Sequence, residues 1–108
     1  MASASEGSID PWPDRLPPGL EPGRTTPRFD NDSVPAGLLA THRVADGVWG
    51  RLVVHSGSLV FHAEAGAEGA EAGWRVPAGG SVVIPPGRPH HLVLDVPVEF
   101  AVEFHRVT

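Results

Sequence analysis

The 108-residue chain contains no cysteine, and all eight of its basic residues are arginine. The missing cysteine excludes disulfides and thiolate metal ligands. The missing lysine excludes a Schiff-base nucleophile. Thirteen acids against eight arginines give a formal charge of −5. With no basic stripe, that balance speaks against nucleic acid as a partner. No apolar run approaches the roughly 20 residues that a membrane-spanning helix needs, which excludes a membrane partner of that kind. The opening residues Met1 to Gly7 hold no basic stretch followed by an apolar one, so they do not read as a secretory signal. The cytoplasm is therefore the expected compartment.

What the chain does have is valine, thirteen glycines and twelve prolines. At this length one domain is expected, and this composition favours short strands over helices. Residues 1–34 read as an extended arm. Its prolines, among them Pro11, Pro13, Pro17, Pro18, Pro22 and Pro27, exclude a long helix and most sheet pairing. Disorder is expected up to about Ser8. Trp12, Leu16, Leu20 and Phe29 are apolar anchors with which the arm can pack on the domain or on a second copy.

Residues 35–108 read as a β domain. A first strand is expected over 38–44, with Leu38, Ala40, His42 and Val44 on one face. Asp46-Gly47 supplies a hairpin turn. A second strand over 48–55 sets Val48, Gly50, Leu52 and Val54 against Trp49, Arg51, Val53 and His55. Ser56-Gly57 is a further tight turn. The third strand, 58–64, sets Leu59, Phe61 and Ala63 against Val60 and His62. Residues 65–72 read as an exposed loop, with Glu64, Glu68 and Glu71 solvated. Short strands follow over 74–76, 82–84 and 91–95. The longest alternating run is 98–107, with Val98, Phe100, Val102 and Phe104 on its apolar face. About seven short strands with closely spaced turns imply an antiparallel sandwich or barrel.

One stretch organises the rest: the strand Val82-Val83-Ile84, the rigid turn Pro85-Pro86-Gly87-Arg88-Pro89, and then His90-His91. Alternation along a strand lets only one of these two histidines face the interior. Gly79, Pro85, Gly87 and His90 stand at the spacing of the second motif of the cupin superfamily, which this stretch resembles. Leu38 to His42, Gly47 to Leu52, Gly57 and Val102-Glu103-Phe104 resemble the narrower YeaR/TehB-like group of small cupins. The resemblance runs from about Pro35 to the end. It implies an all-β, single-domain cupin, an antiparallel jelly-roll β-barrel carrying the proline-rich arm, and it brings a link to tellurite or stress response. The exposed edges expected of so short a jelly roll suit a homodimer or cover by the arm. The methyltransferase domain that accompanies this module in some relatives is not expected here.

In that motif the histidine is a metal ligand, so the resemblance implies a divalent metal (Zn, Fe, Ni or Mn) held by His42 and His90. The first motif departs from the pattern: Val44 stands where a second histidine is usual, and Gly50 where the glutamate is. An open metal site uses three protein ligands, so His62, Glu103 or His105 must complete the set. His42, His62, His90 and His105 are expected to line one cavity. His55 and His91 read as ordinary half-buried strand residues, Trp49 and Trp74 as packing residues, and Glu103 alternatively as an ion-pair partner for Arg43, Arg51 or Arg106. Three functions stay open. The first is binding of a metal or small molecule in the barrel. The second is a metal-dependent dioxygenase or isomerase. The third is a metal-free dimerisation module. No nucleophile elbow, P-loop or dinucleotide fingerprint is present.

Overall fold

The computed structural model describes residues 12–64 and 72–108. The expected disorder before Ser8 and nearly all of the expected loop, with Glu68 and Glu71, lie outside these residues. The described chain is all-β apart from one short 3-10 helix. The strands are β1 (Glu21–Thr25), β2 (Phe29–Asp30), β3 (Val48–Ala63), β4 (Ala72–Pro77), β5 (Ser81–Ile84), β6 (His90–Val93) and β7 (Val98–Arg106). All pairings are antiparallel.

The sheet is built on β3. Its first half pairs with β7 on one side and β5 on the other; its second half pairs with β4 and β6. β1 and β2 continue the first leaf beyond β7. The two leaves share one core, in which Leu52, Val54, Leu59, Phe61 and Phe100 are almost wholly buried. The ring of strand pairing is not closed: the path ends at β1 and β4.

Three expectations change. Ser56-Gly57 is not a turn between two strands but a bend inside one 16-residue strand. The β3–β7 register shifts between Val54 and Ser56. Before the bend the buried positions of β3 are Gly50, Leu52 and Val54; after it they are Leu59, Phe61 and Ala63. The extra residue flips the inward phase and lets one strand serve both leaves. Gly57 sits there with φ +70°, and a Cβ would lie 1.9 Å from the Pro97 carbonyl oxygen. Only glycine meets both demands.

The strand expected over 38–44 is absent. Pro35 opens a 3-10 helix, Ala36–Leu39, and only His42 then makes an isolated bridge, to His90. Asp46-Gly47 does turn the chain, with Gly47 at φ +76°, but residues 43–45 leading into it form no strand.

The arm does pair with the sheet. β1 and β2 both lie along β7 despite Pro22. β1 is an edge strand, where a residue without an N–H is tolerated, and its register breaks between Pro22 and Thr25. Trp12 docks further round. Its indole N–H donates to the Val83 carbonyl at 2.7 Å, and its ring meets Phe61 edge-on at 5.5 Å. The arm is thus part of the packed structure from Trp12 onward.

Candidate functional site

A cavity of about 290 Å³ lies at one end of the core. β3 supplies Leu52, β5 Ile84, β6 Leu92, and β7 Val102 and Phe104. These are the inward members of alternating strands, so the wall is apolar because the core is. The other wall comes from the arm and the 3-10 segment: Arg24, Thr26, Phe29 and Leu38 among them. His42 and His90 complete the lining with Val44.

The two imidazoles are set by backbone. His42 N–H donates to the His90 carbonyl at 2.8 Å, and His90 N–H donates back to the His42 carbonyl at 2.9 Å. This reciprocal bridge fixes the two Cα atoms side by side. The rings stand perpendicular with centroids 5.5 Å apart. His90 is only 2% exposed and lies nearly parallel to Phe61, at 5.4 Å. Its Nδ1 lies 3.1 Å from the Arg88 carbonyl oxygen. A carbonyl only accepts, so Nδ1 carries the proton and Nε2 keeps its lone pair. Burial pushes the His90 pKa below its ordinary value; the Arg88 carbonyl opposes that shift, and neighbouring His42 adds to it. Near neutral pH His90 is therefore an uncharged imidazole. The rigid proline turn before it keeps this geometry: the Arg88 guanidinium sits 4.6 Å over the Trp12 ring, which in turn touches Phe61.

The other expected site residues do not join this pair. His62 projects from β3 on the face opposite Phe61, and its ring stacks on that of His91, centroids 4.6 Å apart. Glu103 lies opposite Val102 and Phe104 on β7; both its oxygens accept from Arg51 Nη1 at 3.2 Å, one of the partners expected for it. His105 Nε2 stands 3.4 Å from Glu103 Oε1 on that outer side. The expected four-histidine cavity therefore holds two. His55 is exposed. Among the described residues no three histidines, aspartates or glutamates stand close enough to hold a metal ion together. Val44 is buried in the pocket wall, and a Cβ at Gly50 would touch Ile84 and Val102. Both positions where the motif departs thus face the core and add no donor.

Two features escape a reading by strands alone. The arm residues Arg24 and Thr26 line the pocket; only Phe29 signalled an anchor. Glu64, expected to be solvated, instead binds the Thr41 hydroxyl and His91 Nδ1. A more open groove of about 680 Å³ near Gly57 is walled mostly by exposed residues and has no imidazole.

The TehB-like domain family profile matches residues 24–102. Among solved structures, a protein from Escherichia coli K12 is 25% identical with a TM-score of 0.77, over 87% of this chain and 97% of that one. TehB from Haemophilus influenzae is 23% identical with a TM-score of 0.68, over 82% of this chain. The match spans only 32% of that TehB, about a third of its length. A search of curated proteins gives no match.

Proposed function

The chain belongs to the TehB-like domain family, and on that premise we propose that it is a small-molecule-binding module, a small open member of the cupin type. Its ligand is compact and mainly apolar, with one acidic or hydrogen-bonding head group. The observation that carries this reading is the pocket itself. It is an apolar cavity whose polar groups are few: the perpendicular pair His42 and His90, with Arg24 and Thr26 also in its lining. That is the usual composition of a ligand site, at the small end of the roughly 300–1,000 Å³ range. The neutral His90 Nε2 accepts a hydrogen bond, His42 gives or takes one, and Arg24 provides the charge for an anionic head.

A chelated divalent ion fits this donor set poorly. Two imidazoles fall short of the three protein ligands of an open metal site, and Val44 and Gly50 contribute none. For the same reason a metal-dependent dioxygenase or isomerase is the weaker reading. The tie to tellurite or stress response comes with the family, and within this proposal the pocket is where a small metabolite of that response binds.

The test is a binding titration with benzoate and hexanoate, followed at the histidine side-chain NMR signals. The expected result is saturable shifts at His42 and His90, abolished by Val44→Phe, which fills the cavity. Shifts at those histidines with zinc but with neither acid would overturn the reading.

A further inference from the structure

The part of the pocket wall that the arm supplies depends on an irregularity in β1. Pro22 stands opposite His105, and Thr25 opposite Glu103. Three steps along β1 thus match two along β7, and Gly23 and Arg24 share Phe104 between them. This is a β-bulge, which redirects the side chains beside it. A Cβ on Gly23 would come within 3.0 Å of the Phe104 carbonyl oxygen, so glycine suits the close approach.

The consequence is one of phase. Glu103 and His105 lie on the outer side of β7, and so do Thr25 and Pro22 directly opposite them. Residues on either side of Thr25 turn the other way, and Arg24 and Thr26 both line the pocket beside Phe104 and Val102. In an unbroken ladder counted on from Pro22, Arg24 would stand opposite Glu103 on the outer face. The bulge takes Arg24 away from that carboxylate, and Glu103 accepts from Arg51 instead.

Thr26 then pins the arm. Its N–H donates to the Val102 carbonyl at 2.9 Å. Its hydroxyl accepts from the Val102 N–H at 3.0 Å and donates to the Pro27 carbonyl at 2.9 Å. That hydroxyl is committed to backbone, whereas Arg24 is exposed and makes no ion pair among the described residues. No aspartate or glutamate stands among the described residues that line the pocket. A chain with a formal charge of −5 therefore sets a guanidinium, uncompensated there, beside an apolar cavity.

We infer that Arg24 is the specificity-determining residue of the pocket, which takes carboxylates and discriminates against neutral molecules of the same shape. The inference rests on the reading of the pocket as a ligand site and names the group that selects the ligand. A guanidinium presents a fork of N–H donors that matches both oxygens of a carboxylate. A neutral amide offers one acceptor, and its NH2 meets the fork donor to donor.

The experiment compares benzoate with benzamide, its neutral isostere, by calorimetric titration of the full chain at neutral pH. Benzoate is expected to bind at least about tenfold more tightly. Arg24→Gln lowers benzoate affinity by at least about tenfold, leaves benzamide affinity unchanged and so closes the gap. Arg24→Lys, which keeps the charge, retains part of the preference. Arg24→Gln combined with Thr25→Arg keeps the net charge but sets the guanidinium opposite Glu103, and does not restore the preference. Both positions are exposed on an edge strand, and circular dichroism of each variant checks that the fold is kept. Equal binding of the two ligands, or undiminished benzoate affinity in Arg24→Gln, would overturn this inference and leave the pocket reading standing. Restoration by Thr25→Arg would also overturn it, because net charge and not placement would then be acting. Binding of neither ligand would remove the pocket reading and this inference with it.

Discussion

The protein holds two histidine pairs, each with one member on β6, and gives them opposite environments. His42 and His90 stand perpendicular inside an apolar cavity, and burial keeps His90 neutral. His62 and His91 stack in parallel on the outer face, with a carboxylate behind His91. The same side chain lines an apolar cavity in one place and is paired with a carboxylate in the other. What differs is not the imidazole but which face of β6 carries it, and whether the acceptor at its Nδ1 is a backbone carbonyl or a carboxylate. The bend at Gly57 controls the first: had β3 kept the phase of its first half, His62 would point inward and Phe61 outward.

The largest effect is expected inside. Phe61→Ala removes the ring on which His90 stacks and leaves a cavity in the most buried part of the core. It should cost about 3–5 kcal/mol in urea unfolding, whereas His91→Ala on the outer face should cost less than about 1 kcal/mol. Comparable losses would erase the distinction. Gly57→Ala should be nearly as damaging, about 2–4 kcal/mol, because the new Cβ meets the Pro97 carbonyl and the φ is positive. If that variant folds at normal stability, the bend is not what holds the two faces apart.

Val44→His sharpens the comparison from the other direction. It sets a third imidazole two residues from His42, in the pocket wall. Zinc affinity at the cavity should rise at least tenfold, about 1.4 kcal/mol, read by calorimetry against the parent chain. No gain would mean that donor number does not limit metal binding at this pair.

The smallest effect is a pH dependence. The folded His90 pKa is lowered, so the unfolded chain takes up the proton first. Stability from this group is full above its ordinary pKa of about 6.5 and is lost as pH falls from there through the lower folded value. Replacing His90 by Asn, which keeps a donor for the Arg88 carbonyl, should flatten the stability profile below pH 6.5. An unchanged slope in denaturant unfolding between pH 5 and 7 would contradict a buried neutral imidazole.

Much of this arrangement was legible in the sequence. Alternation identified the core face of β7 and sorted the residues of each half of β3 into two faces, and it allowed only one of His90 and His91 inside; His62, expected inside, lies on the outer face. The proline-glycine turn delivers His90 to the inside, where it is buried in the pocket lining. The hidden part was long-range. Glycine at position 57 looks the same in a hairpin turn as in a bulge; only the carbonyl of Pro97, forty residues on, tells them apart. Prolines hid β1 and β2, because edge pairing leaves no local trace. The outer placement of His62 was written in the apolar character of Leu59, Phe61 and Ala63, against which its own face is polar. The partnership of Glu64 with Thr41 and His91 joins three separate segments, and no spacing within any one of them announces it.

The most direct test is a benzoate titration observed at the histidine ring nitrogens by two-dimensional NMR. The account predicts that the signals of His42 and His90 move together and saturate, while those of His62 and His91 stay in place. Benzoate-dependent movement at His62 and His91, with His42 and His90 unaffected, would contradict it.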